Sequence, residues 1–262
     1  MLNTIMKILC FYLGMSCLGA LAQDRYERVI SLREAMDLAA ANMNDTISDV
    51  YAADIKSEYY RWIYGHNKLK VLDEKRALCG LLMENSQLHW ELGETDAAGR
   101  VLPHIDYLEA ESQYADAGYD IRISENNLKK LLFTGDSLIP ESDSLVKYFS
   151  VARGAENFTA DSASGDYREF IKQRERAGLE LLLKKYEDQL AYYEKILALS
   201  KQLVEVAGDR YKNEDIEYSA YAGMVGRTLD LKLEYLKILN LYNQAAISKE
   251  LYLNKNLNNE KY

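Results

Sequence analysis

Apolar residues recur along most of this chain at intervals of three and four, the spacing that lines one face of a helix. In ISLREAMDLAAANMND, positions Leu32, Ala35, Met36, Ala39 and Ala40 share a face. Ser31 with Glu34 three places on is a capping-box pattern, so a short helix is predicted to start there. The pattern breaks between Asn42 and Asp45 and restarts in VYAADIKSEYYRWIYGHNKLKVLDEKRALCGLLMENSQLHW. There Ile55, Tyr59, Trp62, His66 and Leu69 step by four and three, which is a heptad seam.

The next segment repeats more strictly. Tyr107, Tyr114, Ile121 and Leu128 recur every seven residues, and Ala110, Ala117, Ser124 and Leu131 do the same three places on. Alternating bulky and small side chains on a 3.5-residue repeat let neighbouring helices approach closely and supercoil. Further on, Tyr186, Leu190, Tyr193, Leu197, Ser200, Val204, Ala207 and Tyr211 keep the same spacing without a slip.

The last long segment carries two such stripes. One runs through Leu229, Leu233, Leu236, Asn240, Asn243 and Ile247, the other through Leu231, Tyr235, Ile238, Tyr242 and Ala245. A helix in a simple two-stranded hairpin needs one stripe, so two predict a hairpin mate on one side and another helix on the other. Asn240 and Asn243 are either register-fixing polar positions, at a cost in stability, or partly solvated ones.

The two halves align without a gap at an offset of 121 residues. Leu69, Leu82, Leu108, Tyr114 and Leu132 meet Leu190, Leu203, Leu229, Tyr235 and Leu253, and Tyr114 and Ile121 fall on Tyr235 and Tyr242. The helix breaks coincide as well, WELGETD from Trp90 against YKNEDIE from Tyr211. The fold expected is all-α, a duplicated antiparallel coiled-coil hairpin with repeats at 31–133 and 167–253, a linker at 134–166 and a polar tail at 254–262. Pro103 is expected in the first turn after the tip, because a deeper proline would break the heptad run.

Composition narrows the function. After Lys7, the run ILCFYLGMSCLGALA closes in small residues and reads as a secretory signal peptide over 1–22, cut after Ala22. The chain is therefore expected to be exported. Cys10 and Cys17 leave with that peptide, so Cys79 has no intramolecular partner and stability must come from packing. His66, His89 and His104 lack ligand spacing, so neither a metal site nor a cofactor is expected. A net charge of -9 argues against a nucleic-acid partner. No phosphate loop, GxSxG or comparable catalytic motif is present, and the chain is not read as an enzyme.

In each half, a long helix ending in an aromatic residue, a short turn of the form G-E-x-D and a second long helix resemble the repeat of TolC-like outer-membrane efflux proteins. KLEYLKILNLYNQA is similar to the last helix of members serving metal-exporting resistance-nodulation-division pumps, and SLREAMDLAAAN resembles the segment with which members begin. The resemblance implies a periplasmic helical barrel closed by three protomers, with hairpin turns toward an adaptor (membrane fusion) protein and an inner-membrane pump, at the outer membrane or in the periplasm of a Gram-negative bacterium. The docking turns would then be Gly93, Glu94, Thr95 and Asp96, and Glu214, Asp215, Ile216 and Glu217, with Arg100, Arg210 and Arg227 beside them. The seam residues would be Tyr114, Ile121, Tyr235, Tyr242, Asn240 and Asn243. The chain departs from the family in lacking a clear β-barrel. Membrane strands need about 9 to 11 alternating residues, and LVKYFSV from Leu145 is the best and a short candidate. The alternative function is a soluble periplasmic coiled-coil scaffold or regulator.

Overall fold

The computed structural model describes residues 27–43, 47–141, 144–148 and 167–259, with the side chains of 27, 167–170 and 256–259 left aside. The signal-peptide assignment, Cys10, Cys17 and the greater part of the linker lie outside the described residues. The order of elements is β1 (Glu27–Ile30), α1 (Leu32–Met43), α2 (Asp49–Glu91), α3 (Ala97–Leu132), β2 (Ser137–Pro140), α4 (Tyr167–Lys212) and α5 (Tyr218–Asn259). The fold is all-α, of the TolC-like helical-hairpin type, and no barrel is present among the described residues.

α1 starts as its sequence dictates. The Ser31 backbone N–H donates to Glu34 Oε2 at 2.8 Å, and the Glu34 N–H donates back to Ser31 Oγ at 3.2 Å. The Ser31 N–H and hydroxyl bonds hold the Glu34 carboxyl below its usual range. α2 is capped by Ser48, whose side chain accepts the Tyr51 N–H, and at 43 residues it is roughly 65 Å long.

Four long helices pack side by side in the order α3, α2, α5, α4. Burial along α3 follows the predicted seam. Ala110, Ala117, Ile121 and Leu128 are buried, while Tyr107, Tyr114, Ser124 and Leu131 are half-buried. The small residues set the spacing between α2 and α3: a Cβ placed on Gly65 would lie 2.8 Å from Ile121 Cγ1. α5 sits between α4 and α2, which accounts for its two stripes. Tyr235 and Tyr242 reach Glu194 and Glu187 on α4, whereas Gln244 and Asp230 bond Ser57 and Lys75 on α2. The central α2–α5 contact is flanked by ion pairs of opposite sense, Lys75 to Asp230 at 2.8 Å and Lys232 to Glu74 at 3.0 Å. α5 also continues helically to Asn259, well past Leu253, through residues expected to form a polar tail.

One placement is corrected. Pro103 lies inside α3 with six helical residues before it, not in the first turn. Asp96 caps the helix early, and the carbonyl that loses its partner belongs to Gly99, half-buried among the exposed residues of the tip, where the defect is cheapest. Leu145 to Tyr148 are not a strand. Among the described residues the strands are β1 and β2, four residues each, paired in parallel with Ile30 opposite Pro140. Strands this short carry no usable alternation, and their parallel pairing spans the whole first hairpin.

β1, α1, β2 and the segment 144–148 pack at the base of the layer, away from the tips. Ile30, Ala35, Ala39, Leu138, Leu145 and Tyr148 join Tyr59, Trp62, Leu132, Leu239 and Ile247 in one core. Tyr59 donates its hydroxyl to the Ile30 carbonyl at 3.1 Å, and Asn42 and Tyr51 bond the last carbonyls of α3 at Leu132 and Leu131. The last two satisfy helix-end carbonyls that would otherwise be orphaned.

Candidate functional site

Both hairpin tips lie at the same end of the layer. At the first, α2 runs out at Glu91 and the chain reverses through Gly93, whose φ of 74° suits a residue without a Cβ. The Gly93 N–H donates to the Trp90 carbonyl at 3.0 Å and the Glu94 N–H to the His89 carbonyl at 2.8 Å, a paired cap that closes the open helix end. Asp96 then accepts the Gly99 N–H at 2.8 Å and starts α3. Thr95 Oγ1 fills the space where a Gly99 side chain would stand, and the Glu94 carboxylate meets His89 Nδ1 at 2.6 Å.

The second tip repeats this backbone shifted by 121 residues. The Glu214 N–H donates to the Tyr211 carbonyl at 3.0 Å and the Asp215 N–H to the Arg210 carbonyl at 2.8 Å. Glu214 stands where Gly93 does and shares its left-handed conformation, with φ of 61°. The Arg100 N–H donates to the Asp96 carbonyl at 3.2 Å, and in the second tip the Tyr221 N–H donates to the Glu217 carbonyl at the same distance. The side chains differ. Arg100 lies over the Trp90 ring at 5.2 Å, while the equivalent Tyr221 and Tyr211 stack at 5.6 Å, with Tyr218 tilted against Tyr211 at 5.7 Å. Glu94, Asp96, Glu214, Asp215 and Glu217 are exposed, and Thr95 and Ile216 are half-buried. The tips thus present carboxylates beside aromatic rings and exposed Leu92 and Leu102.

The seam residues lie elsewhere and do not form one site with the tips. Tyr114 sits under the Arg76 guanidinium at 4.3 Å, and Ile121 fills the hollow at Gly65. Burial pushes the Tyr235 and Tyr242 phenols up, and the Glu194 and Glu187 carboxylates push them further. Asn240 Oδ1 is buried without a hydrogen-bond partner among the described residues. Asn243 is fully buried, yet its partner is not a helix: its side chain accepts the Tyr148 N–H at 2.8 Å and donates to the Val146 carbonyl at 2.9 Å.

That clasp, with Glu250 and Lys56, was not visible in the sequence. The Tyr148 hydroxyl donates to Glu250, which pairs with Lys56 at 2.8 Å, and Lys56 Nζ lies 5.5 Å from the centre of the Tyr148 ring. Burial first and the Glu250 hydrogen bond second drive the Tyr148 phenol far up. The only available signal was the spacing of Leu145 and Tyr148, both buried here. Cys79 is a buried thiol pushed up by that burial, and no group of His, Cys, Asp and Glu suited to a metal ion occurs among the described residues. No helix among them is long and apolar enough to cross a membrane.

No known family's profile matches the chain, and no curated protein matches it. Among solved structures it is similar to CusC, studied for the conformational changes that accompany folding and transmembrane channel formation. The two share a TM-score of 0.66 over 78% of this chain and 77% of that one, at 12% identity. The chain therefore has a CusC-like fold, the class that the paired hairpins define.

Proposed function

We propose that the chain is a non-enzymatic component of a TolC-like envelope efflux system, forming or docking onto the periplasmic helical conduit of a tripartite pump. One observation carries this reading. The two hairpins point their tips the same way, and each outer helix leaves apolar residues uncovered, Leu108, Tyr119 and Ile123 on α3 and Tyr192, Leu199 and Val206 on α4. Such flanks suit edge-to-edge contact with further helices, as in a homotrimer, and the acidic aromatic tips suit an adaptor protein that leads to a resistance-nodulation-division pump, including one exporting metal ions. Gly93 to Asp96 and Glu214 to Glu217 are the docking turns in this reading. Export to the outer membrane or periplasm belongs to the same proposal.

A second reading, a soluble periplasmic scaffold without channel activity, is favoured by the length of β1 and β2, since four residues fall short of the roughly 9 to 11 that a membrane strand needs. Envelope fractionation of the untagged protein in its host, with a high-salt wash, separates the two. Retention in the outer membrane supports the efflux component. Recovery as a soluble periplasmic species rejects it and leaves the scaffold.

A further inference from the structure

At the base of the second hairpin, far from the tips, an open groove of about 460 Å³ runs between the early turns of α4 and the last turns of α5. Leu179, Leu182, Leu251 and Tyr252 line it with Ser248, Gly178 leaves one wall without a side chain, and exposed Glu175 and Lys255 stand at its rim. Leu181, one residue along from the groove, is 71% exposed. The volume is that of a small-molecule site rather than of a packing defect.

The charge around it is opposite to that of the whole chain. The chain carries a net charge of -9, yet between Ile171 and Lys185 α4 holds Lys172, Arg174, Arg176, Lys184 and Lys185 against only Glu175 and Glu180. Glu180 is engaged by Arg176 at 3.1 Å and by Lys249 at 3.6 Å. An apolar trough with a basic surround in an acidic protein complements a molecule with an apolar tail and an anionic head.

We propose that this groove docks anionic phospholipid, with an acyl chain along Leu179, Leu182 and Leu251 and the phosphate meeting Lys255. The site goes beyond the efflux reading and needs neither adaptor nor pump. Lipid contact of this kind is additive: apolar burial holds the chain, and each basic side chain near the head group contributes about fivefold in partitioning.

The test is flotation of the purified full chain at low salt with vesicles of phosphatidylcholine alone and of phosphatidylcholine mixed with phosphatidylglycerol. The expected result is recovery with the anionic vesicles only, reduced about fivefold by Lys255→Gln and reduced further by Leu182→Ser, with Lys201→Gln, exposed further along α4 toward the tip, unchanged. Circular dichroism of each variant confirms that it is folded, and exposed Lys255→Gln keeps the test valid should Leu182→Ser unfold. Equal recovery with neutral vesicles, or no response to Lys255→Gln, overturns the proposal. So does an oligomer that Leu182→Ser dissociates while vesicle recovery stays the same, which would make the groove a contact between copies. Retention in the envelope is scored after a high-salt wash and vesicle docking at low salt, so either reading can fail while the other stands.

Discussion

Asn243 holds Tyr148 by its backbone: the carboxamide oxygen accepts the Tyr148 N–H at 2.8 Å while the same side chain's nitrogen donates to the Val146 carbonyl at 2.9 Å. One buried amide thereby satisfies both a donor and an acceptor of an extended segment that has no sheet partner among the described residues. Asn243→Ala would leave the buried Tyr148 N–H and the Val146 carbonyl unpaired. The expected cost is about 2–3 kcal/mol in chemical denaturation, against under about 1 kcal/mol for alanine at exposed Asn213. Equal costs at the two asparagines would show that the clasp contributes nothing specific.

The tips make a second prediction, because Gly93 and Glu214 occupy equivalent backbone positions with left-handed φ values of 74° and 61°. Glycine adopts that conformation freely and glutamate does not. Glu214→Gly is expected to stabilise the chain by about 1 kcal/mol, and Gly93→Ala to destabilise it by a similar amount, both read from denaturation midpoints at unchanged slope. If Glu214→Gly also weakened adaptor binding, the carboxylate would be retained for docking at the expense of backbone comfort.

What the sequence disclosed follows from which features are periodic or local. The α3 seam and the two stripes of α5 were legible because burial on a long helix repeats every 3.5 residues and each repeat reinforces the last. The Ser31–Glu34 cap and both reversals were legible because all their groups lie within a few residues. The bonds from Asn243 to Val146 and Tyr148 were not, since the partners are 97 and 95 residues away and nothing local marks them. β1 and β2 were missed for the same reason, and Pro103 because its missing N–H falls where solvent is close enough to make the loss tolerable.

The close approach of α2 to α3 rests on Gly65, where an added Cβ would meet Ile121 Cγ1 at 2.8 Å. Alanine improves helix propensity by about 1 kcal/mol, but overpacking costs about 1–3 kcal/mol, so Gly65→Ala is expected to be neutral to destabilising by up to about 2 kcal/mol. Valine at this position should cost more. Pairing Gly65→Ala with Ile121→Ala removes Cγ1, the carbon that the new methyl group meets, and a double-mutant cycle should show a favourable coupling of about 1 kcal/mol. Strict additivity would mean that the helices part without resistance and that the small residue is not what sets their distance.

Alkaline pH should act first at the base. Burial, and then the charge of Glu141, raise the Tyr59 phenol from 10.0 to about 12, and burial with the Glu250 hydrogen bond raises Tyr148 further. Both groups favour the neutral form when folded, so the unfolded chain loses these protons at lower pH than the folded one. Their contribution is fully present below about pH 10 and is lost as pH rises through the folded values, which for Tyr59 means between about pH 10 and 12. Other phenols titrate above pH 10 as well, so wild-type behaviour alone does not isolate Tyr59. Tyr59→Phe does: its stability should fall less steeply with pH above 10 than that of the wild type, with little change at neutrality beyond the lost bond to the Ile30 carbonyl. Circular dichroism through an alkaline denaturation series, read beside phenolate absorbance, measures both slopes. Parallel curves for the two proteins would show that Tyr59 titrates as freely folded as unfolded, and that the base is not sealed around it.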